Sequence, residues 1–194
     1  MYDTCKLPRG ETCGAWVVVN LVDFLTDISS IYSVVRPSVL PPLGTGFPAG
    51  VEYKWSSSTG SIRRVSGVEY CNLVLSWASS TLNDESMFPN DDDEELCNSI
   101  WNSKAFAKVV GQVFKRVFRV WAIIYTTFFD TLKTVGLTKS LNSCFKHFIY
   151  FSLEFQLLQD SEMAVLDVLV RPIKEQYTKA DFEHKRKSEK GKRY

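Results

Sequence analysis

The chain predicts a mostly α-helical bundle carrying one small β-hairpin. Residues 105–133 are apolar at helical spacing almost all round: at about 100° per residue, Phe106, Val110, Val113, Val117, Trp121, Ile124 and Phe128 fall in one narrow arc. Helix start and stop signals bracket further segments. Val51–Trp55 and Ser61–Val65, flanking Ser-Ser-Ser-Thr-Gly, read as the hairpin. With 194 residues, 45% hydrophobic and 13% aromatic, the chain can bury the core of one domain without staples.

The first helix is predicted from near Thr12 to Val35, stopped by Arg36-Pro37, because a residue before proline is pushed out of the helical region. Asn20, Asp23, Asp27 and Ser30 make one polar stripe along it. Arg36–Gly50 holds four of the seven prolines and reads as an ordered loop. Ser66 followed by Glu69 is a capping-box pattern opening a helix to about Leu82, with Tyr70, Leu73, Val74 and Trp77 at helical spacing. Asn90–Glu95 is read as a solvated acidic loop. After the long helix come a helix over roughly Leu141–Leu158 and a short one over Ser161–Val170, ended by Pro172. The expected organisation is a single domain over residues 1–172 and a basic C-terminal tail over 173–194, mobile or a frayed helix.

Net charge is +1, with +4 in residues 173–194 (eight Lys/Arg against four Asp/Glu) and therefore −3 in residues 1–172. That balance argues against a nucleic-acid-binding body, although the tail alone could meet nucleic acid or a membrane surface. Five widely spaced cysteines form neither a disulfide framework nor a zinc knuckle and fit a reducing compartment, cytosolic or nuclear. The opening residues lack the apolar core of a signal peptide. The tract around Val117–Phe129 is too short and too charged to cross a bilayer, so no transmembrane segment is expected.

The pattern does not read as catalytic. Cys144 and His147, at i and i+3, invite a thiolate–imidazole dyad, but a buried cysteine beside a half-exposed histidine accounts for the spacing as well. Asp91, Asp92 and Asp93 lack the spacing of a calcium loop, and Gly44, Gly46 and Gly50 follow no strand that would make a phosphate loop. The long helix offers something else. Lys108, Lys115 and Arg119 lie opposite its apolar arc, with Arg116 flanking them. Such a strip is either a solvated face or a seat for a multivalent anion such as a phosphorylated Ser or Thr.

Several stretches in order resemble one family. Leu7-Pro8-Arg9-Gly10-Glu11, Trp16-Val17-Val18-Val19-Asn20, Val22-Asp23-Phe24, Tyr70, Trp77, Leu82–Pro89, Lys115–Trp121 and Leu141–Phe151 with Glu154-Phe155 together resemble the Mob kinase-activator (Mob/phocein) domain across about residues 7–170. The resemblance implies a helical, non-catalytic adaptor that binds NDR/LATS-type Ser/Thr kinases and phosphorylated Ste20-like upstream kinases, or a phocein-like scaffold without direct kinase activation. It assigns phosphopeptide binding to Lys115, Arg116 and Arg119, with Arg63 and Arg64 as a second anion contact. It assigns the kinase-facing surface to Glu11, Trp16, Asp23, Asp27, Ser30, Ile31 and His147. Arg9 and Ala15 stand where relatives often carry acids, which thins the negative face.

The resemblance also implies a structural zinc, held by two loop cysteines and a His-x-x-x-x-His pair. Here the histidine positions are Ile123 and Phe128, and the loop Arg36–Phe47 has no cysteine. The expectation is that the zinc site is lost, that no cofactor is bound, and that Ile123 and Phe128 pack against Val39–Leu43 instead. Each buried side chain would contribute roughly 1.5–3 kcal/mol. With the acidic run Asn90–Glu95 read as an insertion, this marks a divergent member.

Overall fold

A computed structural model describes residues 1–56, 60–89 and 93–191 of the chain, with side chains to residue 187. The fold is mostly helical with one two-stranded antiparallel sheet. The proposed hairpin turn at 57–59 and residues 90–92 of the acidic run, including the rejected calcium ligands Asp91 and Asp92, lie outside the described residues.

Helix α1 (Cys13–Val35) starts where Thr12 caps it, the hydroxyl accepting from the Ala15 N–H at 3.3 Å, and stops before Arg36-Pro37. It has the length and apolarity of a membrane-crossing helix, but Leu21, Phe24, Ile28 and Tyr32 are buried in the bundle. The hairpin is shorter than the alternation suggests: β1 (Trp55–Ser56) pairs with β2 (Ile62–Arg63), Trp55 opposite Arg63. Beyond that pair the backbone serves other partners, since the Val65 carbonyl accepts from the Gly44 N–H at 3.0 Å.

Ser66 caps α2 (Gly67–Leu82), its hydroxyl accepting from the Glu69 N–H at 3.2 Å. The reciprocal half of the capping box is not made, because Glu69 accepts from Arg63 at 2.5 Å. Gly67 is required by packing: a Cβ there would stand 2.0 Å from the Gly46 carbonyl oxygen.

The acidic loop expected through Glu95 is cut short by a helix that periodicity did not reveal, α3 (Glu94–Trp101). Asp93 caps it by accepting from the Glu95 and Leu96 N–H groups, and the two glutamates sit in its first turn, where the helix dipole favours them.

The long helix is α4 (Lys104–Ile123), continued by a π-helical turn (Ile124–Phe128) and α5 (Phe129–Thr134). The apolar arc from Phe106 to Phe128 is buried throughout. The π turn falls where threonines compete for the backbone. Thr126 Oγ1 donates to the Ala122 carbonyl at 2.8 Å, and Thr127 Oγ1 donates across to the Gly46 carbonyl at 3.1 Å.

Helix α6 (Thr138–Glu154) ends earlier than expected, at a left-handed Gln156 (φ 53°). The central layer is aromatic. Phe24 of α1 meets Phe148 and Phe151 of α6 edge-on at 5.4 and 5.3 Å, and Phe114 of α4 stacks on Phe148 at 5.2 Å.

A short α7 (Asp160–Met163) and a 3₁₀ turn (Ala164–Leu166) lead into α8 (Asp167–Gly191). The expected stop at Pro172 does not occur; the helix runs through it. The carbonyl that Pro172 leaves without a helical donor belongs to Val168, which is 87% exposed and so open to water. Helix α8 packs on α6 and closes over the N-terminal 3₁₀ turn Asp3–Cys5. Lys6 bridges Glu154 (2.5 Å) and Asp181 (3.3 Å), and the Tyr2 hydroxyl donates to Asp181 at 2.6 Å.

Candidate functional site

The basic strip of α4 is not a row of free charges. Lys115 forms an ion pair with Glu162, which is anchored in α7 by its other oxygen, accepting from the Gln159 N–H at 3.4 Å. Arg116 lies between two indoles, 4.7 Å from the Trp55 ring centre and 4.2 Å from that of Trp77. Burial there lowers the Arg116 pKa from its usual value, the Tyr70 phenol opposing the shift. Arg119 donates to the Tyr70 hydroxyl at 3.2 Å and covers the Tyr53 ring at 5.0 Å. Lys115 and Arg119 open together, with Tyr53, Ser161 and Glu162, into a cleft of about 220 Å³. That pair can address one anion, while Arg116 supports the wall.

The hairpin arginines divide. Arg63 stands opposite Trp55, whose ring carries Arg116, and donates to Glu69. Arg64 is engaged elsewhere, donating twice to Glu52 at 2.6 and 3.1 Å beside Gly44. Residue pattern could not reveal Glu162, Tyr53 or Trp55 as members of this site, since each meets the strip only through tertiary packing.

The second expected surface is a mixed one. Asp23 and Ser30 are exposed on α1, with Asp27 half-buried. Asn20 leaves the polar stripe: it is buried, donating to the Trp16 carbonyl at 2.9 Å. Ile31, expected on the kinase-facing side, is 7% exposed; it continues the core stripe of Phe24 and Ile28 at helical spacing. Val19 and Val22, on the same side of α1 as Asp23 and Ser30, are 54% and 45% exposed. Trp16 is half-buried, and Glu11 is exposed in a separate shallow cleft with Glu94 and Trp101.

His147 of α6 lies edge-on to Phe24 at 5.1 Å, and its buried Nε2 has no hydrogen-bond partner among the described residues. Burial lowers its pKa, with Asp27 and Asp23 opposing from α1. Burial pushes the neighbouring Cys144 thiol up to about 11, and Asp27 adds to the shift. Both shifts disfavour the charged thiolate–imidazolium pair that the spacing invited.

The positions expected for zinc do not fit the ion. Ile123 is fully buried and Phe128 is 8% exposed, and neither offers a donor atom. The packing expected to replace the metal is also different. Val39, Leu40 and Leu43 are 79%, 53% and 56% exposed, and Phe128 instead meets Tyr32 of α1. The loop is tied down by hydrogen bonds to Thr127 and Gly67, which leaves its apolar tip in water. Among the described residues no group of three or more His, Cys, Asp or Glu is placed to hold a metal ion.

The chain is similar to known proteins along most of its length. The Mob1/phocein family model matches residues 1–166. Maintenance of ploidy protein mob1 of Schizosaccharomyces pombe is 32% identical over 176 residues, 88% of this chain and 80% of that protein. MOB kinase activator-like 1 homolog A of Dictyostelium discoideum is 34% identical over 175 residues, covering 87% and 78%. MOB kinase activator-like 1B of Arabidopsis thaliana is 33% identical over 176 residues, covering 88% and 79%.

Proposed function

The chain belongs to the Mob1/phocein family, and we propose that it is a non-catalytic adaptor that binds and activates an NDR/LATS-type Ser/Thr kinase. The observation that carries this is the open face of α1, where Asp23 and Ser30 stand beside exposed Val19 and Val22, with His147 of α6 next to Asp27. Apolar side chains flanked by carboxylates suit an amphipathic basic segment: burial supplies affinity, and the charges speed docking. The relatives named as kinase activators are consistent with it.

A second contact is proposed at the Lys115–Arg119 cleft, which takes a phosphorylated Ser or Thr of an upstream Ste20-like kinase or scaffold. Two cations converging on one cleft from a rigid helix give charge-assisted hydrogen bonds at small ordering cost. The five widely spaced cysteines support a cytoplasmic location for this adaptor, with the nucleus as a second one. The test is stimulation of the host NDR/LATS-type kinase by purified wild type and by Asp23→Lys/Asp27→Lys. Stimulation by wild type, lost in the variant, is expected. Failure to bind or to stimulate that kinase would reject the activator reading and favour the phocein-like scaffold.

A further inference from the structure

We propose that Glu162 is a built-in competitor at the phosphate cleft, its carboxylate holding Lys115 until a phosphorylated residue displaces it; this rests on the phosphate-binding reading above. The two side chains are ion-paired, and both line the cleft that Arg119 enters. The partners are unequal. Glu162 is the fixed one: 18% exposed, it accepts from the Gln159 N–H as the N3 residue of the α7 capping box. Lys115 is the movable one, 42% exposed at the end of a flexible stem. When Lys115 turns to an incoming phosphate, Glu162 keeps a hydrogen-bond donor and is not stranded.

The consequence is selectivity by charge. A lone carboxylate arriving at the cleft exchanges one lysine–carboxylate pair for another and gains little. A phosphate monoester carries about −1.5 to −2 charges and three acceptor oxygens, enough to hold Lys115 and Arg119 together. Glutamate substituted for the partner's phosphoresidue is therefore a poor mimic at this site.

The experiment measures binding of a degenerate phosphothreonine peptide mixture, and of the same mixture with glutamate in place of phosphothreonine, at low salt. The proteins are wild type, Glu162→Gln, Lys115→Met and the double variant. Glutamine also suits a capping box, so Glu162→Gln keeps α7 capped; thermal unfolding checks this. Glu162→Gln is expected to tighten phosphopeptide binding about fivefold and to make the glutamate peptides measurable. The gain is expected to vanish in the Lys115→Met background. Unchanged affinity in Glu162→Gln, or an equal gain without Lys115, overturns the inference while leaving the cleft a phosphate reader. Absence of phosphopeptide binding in all four proteins rejects the phosphate reading itself and this inference with it.

Discussion

Phe128 and Tyr32 meet edge to face, ring centres 6.1 Å apart, at the position where the Mob resemblance implies metal ligation. Tyr32 donates its hydroxyl to the Val68 carbonyl at 3.1 Å, so one aromatic pair joins α1, α2 and the π turn after α4. A zinc ion would cross-link a loop to a helix, whereas here helices are cross-linked by packing. Phe128→Ala is therefore expected to destabilise the fold by about 3 kcal/mol in urea unfolding. EDTA is expected to leave the wild-type melting temperature unchanged; a drop on chelation would reveal a metal.

Alkylation should follow exposure and thiol acidity. Cys13 is exposed, while Cys5 and Cys144 have pKa values pushed up by burial to about 11. Iodoacetamide near neutral pH is expected to modify Cys13 first and to leave Cys144 largely intact, read by peptide mass spectrometry. Rapid labelling of Cys144 would reopen the nucleophile reading.

His147 gives a pH-dependent signature. Burial holds its pKa below the ordinary 6.5, so the folded state favours the neutral ring. Its contribution to stability is present above the unfolded value and is lost as pH falls through the folded one. Imidazole NMR is expected to show a midpoint below 6.5, and Asp27→Asn should move it lower, since the Asp27 charge opposes the shift. An unchanged midpoint in that variant would separate the two residues.

Arg116 should behave unlike its neighbours. Sandwiched between Trp55 and Trp77, it supports the cleft wall from within. Arg116→Ala is expected to cost about 1–2 kcal/mol of stability and to shift tryptophan fluorescence. Lys115→Ala and Arg119→Ala should cost less stability but more phosphopeptide affinity. Equal losses of affinity in all three variants would return Arg116 to the anion site.

Helix α1, the buried arc of α4 and the Ser66 cap were legible because spacing and capping chemistry are local. Other elements depend on tertiary context. Asp93 and two glutamates open a helix, yet acidic composition alone resembles a solvated loop. Pro172 sits inside α8 because packing against α6 outweighs one missing hydrogen bond facing water. At the candidate site the cations were visible in order along one helix, while Glu162, 47 positions beyond Lys115, becomes their neighbour only after folding. Ile31 fails for the opposite reason: its own periodicity puts it in the core, and resemblance alone had placed it outside.

Docking of a kinase on the α1–α6 face is decided by calorimetric titration of the protein with the N-terminal regulatory segment of its host NDR/LATS-type kinase. Saturable one-to-one binding with negative heat-capacity change is expected, weakened by salt and abolished by Asp23→Lys/Asp27→Lys. No binding, or binding that the double charge reversal leaves intact, would contradict it.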